Sequence, residues 1–401
     1  MGSLHAWRTP TRRNVLVWVV AGAVLVALVA GGIVLATRST PPPSSPATST
    51  RVVALGDSVP YGHGLANPYL TPQIGLPADA VSQGPSTLAY PSLVARDLGL
   101  ALTVRPTNCH LVGDQLAISG AVADSADNTS RDGQCPVPPV QARNLGNEIA
   151  AADLPHRPAR LVLLQDGADD IHFSACLEYE LARVAGISIG LGTSCVVNGT
   201  ATSQLTTELA RVRSSLAAAI ETVAPHAGTV AVLDYYQPIP TPSQIAGDTG
   251  ASGLHTNLVC AGLEPNASST YAAARLVLSD LNTAIAGAVA DARADHVTNV
   301  RLVDIAGAFD GHGICTADPW AFSGEALPDT TLASDAERIL AAKACAETDA
   351  LHAPVPCSSL AASAQAAERN LQSYVWRAAH PTAAGQRAIA AAVAGRLGNV
   401  A

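Results

Sequence analysis

Three short polar stretches of this sequence contain the residue types needed for acyl transfer. The first is GDS, residues 56–58, in which a hydroxyl follows a short apolar run. The second is GADDIHF, residues 167–173, which holds two adjacent carboxylates. The third is HPTAAGQRAIA, residues 380–390, which begins with an imidazole. Serine becomes an effective nucleophile when an imidazole accepts its proton, so Ser58 and His380 indicate nucleophilic catalysis.

Alternating apolar runs and amphipathic or alanine-rich segments make up most of the chain after residue 50. This alternation predicts an α/β fold with a central parallel sheet covered on both faces. The predicted strands are 52–55, 101–104, 161–164, 230–233 and 300–303, and the predicted helices include 90–98, 203–223, 270–294 and 382–397.

The carboxyl ends of parallel strands meet at one edge of a sheet, where ligands bind in open α/β folds. Ser58 follows the first predicted strand, residues 167–170 follow the third, and His380 precedes the last predicted helix. We therefore expect these groups to lie at a common edge. Two structural alternatives remain open: GDS as a tight turn without catalysis, and His380 as a helix-entry residue.

The N-terminus contains a segment long enough to cross a membrane. Residues 15–36 carry no charged side chain, and 22 helical residues span roughly 33 Å. Arg8, Arg12 and Arg13 precede the segment, which favours a cytoplasmic N-terminus at residues 1–14. The sequence thus predicts a single-pass signal anchor with the body outside the cytoplasm. A cleaved signal peptide and a buried core helix are the alternatives.

Residues 37–50 are rich in proline, serine and threonine and predict an extended stalk. The folded body is expected over residues 51–401, as one domain with inserted loops. A formal net charge of −9 argues against a nucleic-acid partner. We expect a monomer.

Eight cysteines suit an exported chain and predict four disulfides. None forms a Cys-x-x-Cys pair or a zinc-like cluster with histidine, so no metal site is predicted. The sequence leaves the connectivity open, and free buried thiols are the alternative. Pairing of sequence neighbours is the simplest arrangement, namely Cys109–Cys135, Cys176–Cys195, Cys260–Cys315 and Cys345–Cys357.

Four blocks, taken in order, resemble the SGNH/GDSL hydrolases, and in particular their secreted actinobacterial esterase-lipase branch. They are GDS (56–58), CHLVGDQLAISGA (109–121), GADDIHF (167–173) and HPTAAGQRAIA (380–390). The resemblance covers essentially all of residues 51–397.

This resemblance implies a flavodoxin-like three-layer α/β/α sandwich and a serine hydrolase that acts on acyl esters. Ser58 would be the nucleophile and His380 the general base. The backbone N–H groups of Ser58 and Gly120 would line an oxyanion hole. No metal or organic cofactor is implied.

The chain departs from the family pattern at two positions. Asp169 stands where the family has an asparagine that donates to the oxyanion, and an ionised carboxylate has no proton to donate. Arg377 stands where the family usually has the acid of the triad. Its main-chain carbonyl is the predicted partner that fixes the tautomer of His380. Asp318 and Asp114 are more distant alternatives.

Three functions are consistent with these residues. The favoured one is a membrane-tethered, extracytoplasmic carboxylic-ester hydrolase with a small-molecule, lipid or glycan acyl ester as substrate. The alternatives are an acyltransferase to an envelope sugar or lipid hydroxyl, and a non-catalytic relative that binds the cell envelope.

Overall fold

A parallel sheet forms the centre of the protein, in the part of the chain that the structure describes. In this computed structural model, the described residues are 45–63, 65, 86–104, 114–117, 122–123, 144–173, 176, 195–197, 199–241, 243–244, 268–322 and 379–398. The strands of this sheet are β1 (Val52–Gly56), β2 (Ala159–Gln165), β5 (Ala227–Leu233) and β6 (Val300–Val303). They pair in the order β1-β2-β5-β6, and every pairing is parallel. This confirms the predicted α/β fold with a central parallel sheet.

The central strands are nearly continuous apolar runs because both faces of the sheet are covered. All five residues of β1 are fully buried or nearly so, as are six of the seven residues of β2. Such runs are typical of parallel strands in α/β proteins. Strands β2 and β5 extend two or three residues further toward the N-terminus than predicted. A separate small antiparallel pair joins β3 (Val196–Val197) to β4 (Thr200–Ala201).

The predicted second strand, 101–104, is wrong as a continuous element. Two short pieces of chain instead share the outer edge of β1. Arg51 bridges Ala101 and Ala54 bridges Gln115, both in parallel. Asp114 occupies the junction, because its backbone N–H donates to Thr103 O and its carboxylate accepts the Thr103 N–H. The edge of β1 is therefore satisfied by two isolated bridges.

The direction in which successive segments are added to the sheet reverses at β1. The bridging pieces lie on one side of β1, whereas β2, β5 and β6 follow on the other. In open α/β sheets, ligands bind beyond the carboxyl ends of the strands at such a reversal. Ser58 stands immediately beyond the carboxyl end of β1.

The helices form two groups by their contacts. The first contains α1 (Ser58–Tyr61), α2 (Tyr90–Asp97) and α6 (Ala383–Leu397), in which α2 packs on α6. The second contains α3 (Leu145–Ala152), α4 (Ser203–Val223) and α5 (Ser268–Ala294), in which α4 packs on α3 and α5. Right-handed crossovers that leave β1 in opposite directions place their helices on opposite faces of a sheet.

Helix α4 illustrates why these segments are helical. Thr202 caps its N-terminus by accepting a hydrogen bond from the Leu205 N–H, at 3.2 Å. Val212, Leu216 and Ile220 lie four residues apart on its buried face. The structure places this helix at the bounds predicted from the sequence.

One segment among the described residues, Ala272–Ala294 of α5, is long and apolar enough to cross a membrane. Val277, Leu278, Leu281 and Val289 are buried, and α5 contacts α4, β5 and β6. We read it as a core helix. The predicted anchor, residues 15–36, and residues 1–14 lie outside the described residues.

The last residues of the predicted stalk contact the folded body. Ser49 Oγ donates to Pro158 O at 2.9 Å, and Arg160 donates to Ala47 O at 3.0 Å. The Thr50 carbonyl accepts the Ala101 N–H at 2.8 Å. Residues 45–50 are thus attached near the amino ends of β1 and β2. The remainder of the stalk lies outside the described residues.

Gly56 is the position where the sheet tolerates no side chain. Its φ is +126°, and a Cβ would lie 1.8 Å from the Gln165 carbonyl oxygen of β2. Gly56→Ala should therefore separate the ends of β1 and β2 and lower the free energy of unfolding by more than about 3 kcal/mol. Thermal unfolding of the full-length chain measures this.

The matched control is Gly395→Ala in α6, where a Cβ would meet no atom within 4 Å. That variant should gain up to about 1 kcal/mol from helix propensity. Equal stability of the Gly56→Ala variant and the parent would contradict the close approach.

Candidate active site

The turn after β1 places Ser58 at the first position of helix α1. Asp57 caps this helix, and its carboxylate accepts the Val59 N–H at 3.0 Å. Asp57 is itself held to β2, since its N–H donates to Gln165 O at 3.1 Å. The Ser58 N–H is at a helix start, where backbone donors have no partner within the helix. It donates to no acceptor among the described residues.

His380 is held by a short antiparallel contact with residues 320–322. Phe322 N–H donates to His380 O at 2.8 Å, and Thr382 N–H donates to Trp320 O at 2.8 Å. Thr382 then caps α6 by accepting the Gly385 N–H. The imidazole therefore stands just before a capped helix, fixed on both sides by main-chain hydrogen bonds.

These two segments meet at the predicted edge of the sheet. His380 Nε2 lies 2.8 Å from Ser58 Oγ, although the residues are 322 positions apart in the sequence. This is hydrogen-bonding distance for a serine and the base that accepts its proton. The structure brings the hydroxyl and the imidazole into the contact that the sequence predicted.

Gln386 fastens helix α6 to the turn that carries Ser58. Its side chain is fully buried. The Nε2 group donates to Val59 O at 3.1 Å, and Oε1 accepts the Tyr90 N–H at 2.7 Å. One side chain thus connects the helix that follows His380 with the helix that begins at Ser58 and with α2.

Several carboxyl groups are buried in the segments that surround the carboxyl ends of β1 and β2. Burial raises the pKa of Asp57 from its ordinary value of 3.8 to about 6, while the hydroxyl of Tyr235 donates to the Asp57 carboxylate and opposes this shift. Burial also raises the pKa of Asp166 well above its usual range, and the charges of Asp170 and Asp57 add to the effect. Glu148, fully buried, accepts the Gly56 N–H at 2.7 Å.

The loop after β2 carries the two carboxylates that the sequence singled out. Asp170 accepts the Ala123 N–H at 2.8 Å and thereby ties this loop to another short segment. Ala168 N–H donates to the Tyr235 hydroxyl at 3.3 Å. Asp169 is half-buried, and its main-chain carbonyl accepts the His172 N–H. Through its hydrogen bond with Ala123, the Asp170 carboxylate holds this loop in place.

The other predicted site residues have mixed outcomes. Gly120 and Arg377 lie outside the described residues. Asp114 pairs with Arg51 at 2.6 Å, and exposed Asp318 lies 3.4 Å from the ring of His312. Neither carboxylate contacts His380. His312 stacks on Trp320 with ring centroids 3.7 Å apart, which is consistent with a structural role.

A disulfide joins Cys176 to Cys195, which confirms that predicted pair. Cys315 is also disulfide-bonded, and its partner lies outside the described residues. The remaining predicted disulfide cysteines are likewise outside them, namely Cys109, Cys135, Cys260, Cys345 and Cys357. Within the described ranges, no group of three or more histidine, cysteine or acidic residues is arranged to hold a metal ion.

Sequence reasoning missed three aromatic residues of the site. His63 packs beside His380, with ring centroids 4.6 Å apart. Tyr235 binds Asp57, and Tyr236 donates to Ala379 O at 2.6 Å. The Tyr-Tyr pair lies just beyond β5, after Asp234, and its position at the edge already assigned to the site is the signal that could have identified the tyrosines.

Comparison with known proteins adds little to this geometry. No protein-family model matches the chain, and no curated protein does. Among solved structures, the chain is similar to a mutant of Axe2, an acetyl-xylooligosaccharide esterase from Geobacillus Stearmophilus. The identity is 12%, the match covers 87% of this chain and 94% of the other, and the TM-score is 0.33. A TM-score this low does not establish a shared fold, so the function proposed below rests on this chain's own geometry.

The buried carboxyl groups predict that acid stabilises the protein. Asp57 titrates near pH 6 and Asp234, which is also buried, near pH 7, whereas unfolded aspartates titrate near 3.8. The folded state therefore binds more protons than the unfolded state between about pH 4 and 7, and its stability falls as the pH rises. The free energy of unfolding should be higher at pH 5 than at pH 8 by about 1.4 kcal/mol from Asp57 alone.

Urea unfolding at pH 5 and pH 8 measures this slope, and Asp57→Asn should flatten it. The control is Asp291→Asn, because Asp291 is exposed and its hydrogen bond with Arg213 lowers its pKa. That substitution should leave the slope in this window unchanged. A parent protein that is more stable at pH 8 than at pH 5 would contradict the prediction.

Proposed function

We propose that the protein is a serine ester hydrolase of the esterase-lipase type, with Ser58 as nucleophile and His380 as general base. The observation that carries the proposal is the 2.8 Å contact between Ser58 Oγ and His380 Nε2 at the carboxyl edge of the parallel sheet. The strand order, with bridging segments on one side of β1 and the remaining strands on the other, supports a flavodoxin-like three-layer arrangement of the SGNH kind.

The reaction would proceed in two acyl transfers. Ser58 Oγ attacks the ester carbonyl while His380 Nε2 takes its proton, and a tetrahedral oxyanion forms. The intermediate expels the alcohol, which receives the proton from His380, and leaves an acyl-enzyme on Ser58. Water then attacks the acyl group as His380 takes a proton from it. The second intermediate collapses with release of the acid, and His380 returns the proton to Ser58 Oγ. Every step uses the ester, water and these two side chains, so the proposal requires no cofactor.

Backbone donors would stabilise the oxyanion. The Ser58 N–H is available for this, since no described residue accepts its hydrogen bond. In the proposal the N–H of Gly120 is the second donor, and the main-chain carbonyl of Arg377 orients His380. Removing one oxyanion donor from such a site typically costs about 10²–10³ in rate.

The proposal places the enzyme outside the cytoplasm on a membrane anchor formed by residues 15–36. The disulfide between Cys176 and Cys195 supports an oxidising compartment. Acyl esters of small molecules, lipids or glycans are the proposed substrates.

The central test is the loss of activity when either partner is removed. Ser58→Ala and His380→Ala in the full-length chain should each lower kcat for p-nitrophenyl acetate by at least about 10³, because the two groups act as one proton-transfer unit. A fluorophosphonate probe should label the parent at Ser58 and leave Ser58→Ala unlabelled.

Exposed residues of the same types provide controls. Ser214→Ala on the surface of α4 and His156→Ala, whose side chain is 83% exposed, should keep full activity. A folded parent that neither reacts with the probe nor hydrolyses the ester would refute the proposal in favour of a binding protein. Labelling of Ser58 with faster transfer to added glycerol than to water would identify an acyltransferase instead.

Asp169 gives a second prediction. An ionised carboxylate near the oxyanion repels the charge that develops there, whereas an amide donates a hydrogen bond. Asp169→Asn should therefore raise kcat several-fold near neutral pH, measured with the same ester. Asp170→Asn is the control, since Asp170 already accepts the Ala123 N–H and should give no gain. A slower Asp169→Asn enzyme would mean that the acid contributes positively to the reaction.

A further inference from the structure

Tyr236 reaches the residue directly before His380. It follows strand β5, and its hydroxyl donates to Ala379 O at 2.6 Å across 143 positions of sequence. The ring is 4% exposed and stacks on Phe309, with centroids 4.0 Å apart. Burial raises the pKa of Tyr236 well above its usual value, so the hydroxyl keeps its proton and remains a donor.

Ala379 has an unfavourable backbone conformation for alanine. Its φ is +69°, in the left-handed region that glycine adopts far more readily. Hydrogen bonds hold both of its polar groups: the N–H donates to Phe322 O at 2.9 Å, and the carbonyl accepts from Tyr236. Strained residues of this kind persist only where the surrounding structure holds them, and they concentrate at functional sites.

We propose that Tyr236 is a positioning residue for His380. Its hydroxyl holds the Ala379–His380 peptide group in the orientation that directs the imidazole at Ser58. This inference rests on the proposed function, because it concerns the geometry of the proposed general base. The Tyr236 hydroxyl donates to the backbone of Ala379, so in this proposal it acts through His380 and not on the substrate.

The main chain between Ala379 and His380 sets the direction of the imidazole. The ψ angle of Ala379 and the φ angle of His380 decide where the His380 Cβ points, and the Ala379 carbonyl lies on the peptide group between them. Without the hydroxyl, this buried carbonyl loses its partner and the left-handed conformation loses a restraint. The peptide group then samples other orientations, in which His380 Nε2 is beyond reach of Ser58 Oγ.

The test is Tyr236→Phe in the full-length chain, which removes only the hydroxyl. We expect kcat for p-nitrophenyl acetate to fall about 10–100-fold, the range of rate lost on slight misplacement of a reacting group. KM should change less than about twofold and the midpoint of the pH profile should stay unchanged, because neither substrate binding nor the charge around His380 is altered. A fall in kcat no larger than that caused by Tyr90→Phe, the control substitution, would overturn the inference. So would a rise in KM at constant kcat.

Tyr90→Phe is the matched control. The Tyr90 hydroxyl is buried and makes no hydrogen bond with any described residue, so its removal should leave kcat at the parent value. Hydrogen exchange gives a readout that does not depend on activity. The amides of Ala379 and Thr382 are hydrogen-bonded in the parent, and they should exchange faster in Tyr236→Phe than in Tyr90→Phe. Equal exchange in the two variants would overturn the inference.

A rescue experiment tests the role of strain. Glycine accepts a φ of +69° freely, so Ala379→Gly in the Tyr236→Phe background should recover at least threefold of the lost kcat. Should Tyr236→Phe fail to fold, the double variant is expected to fold again. A double variant that recovers neither activity nor folding would overturn the inference. A parent protein that neither hydrolyses the ester nor is labelled at Ser58 would instead refute the proposed function. The exchange data would still report on the hydrogen bond between Tyr236 and Ala379.

Discussion

The hydrogen bond between Ser58 and His380 depends on the assembly of the whole sheet. Ser58 belongs to the turn after the first strand and His380 to the entry of the last helix, and 322 residues separate them. Neither residue has a local reason to meet the other. They meet because β1 pairs with β2 in a fixed register and because Gln386 fastens helix α6 to the turn that carries Ser58. The site is therefore a tertiary product of the fold.

This part of the protein is costly to fold. Asp57, Glu148 and Asp166 are buried at the carboxyl edge of the sheet, where desolvation disfavours the charged form of a carboxylate. Ala379 adds an unfavourable backbone conformation at the same edge. The apolar layers on both faces of the sheet offset these costs. Such a division between a stable core and a strained site is common where groups must be held in reactive positions.

The sequence predicted the parallel sheet and the bounds of α4 from local signals, and the meeting of Ser58 with His380 from the rule that the carboxyl ends of parallel strands share one edge. Buried parallel strands are apolar runs, a capped amphipathic helix has its own periodicity, and reactive side chains stand at element ends. The second strand was wrong because two separate pieces of chain satisfy the edge of β1, and no local pattern encodes that division. The roles of Tyr236 and Gln386 were not predicted for a related reason. Each side chain binds a backbone group far away in the sequence, and such a contact produces no periodic pattern in the sequence.

The order of elements along the chain has a consequence for biosynthesis. Ribosomes release polypeptides from the N-terminus, so the strand that bears the hydroxyl is made long before the helix that follows the imidazole. Gln386, which joins the two regions, is made later still. A nascent chain that stops short of residue 380 has Ser58 without the imidazole that contacts it. This contact therefore forms only after strands β1 to β6 have all been synthesised.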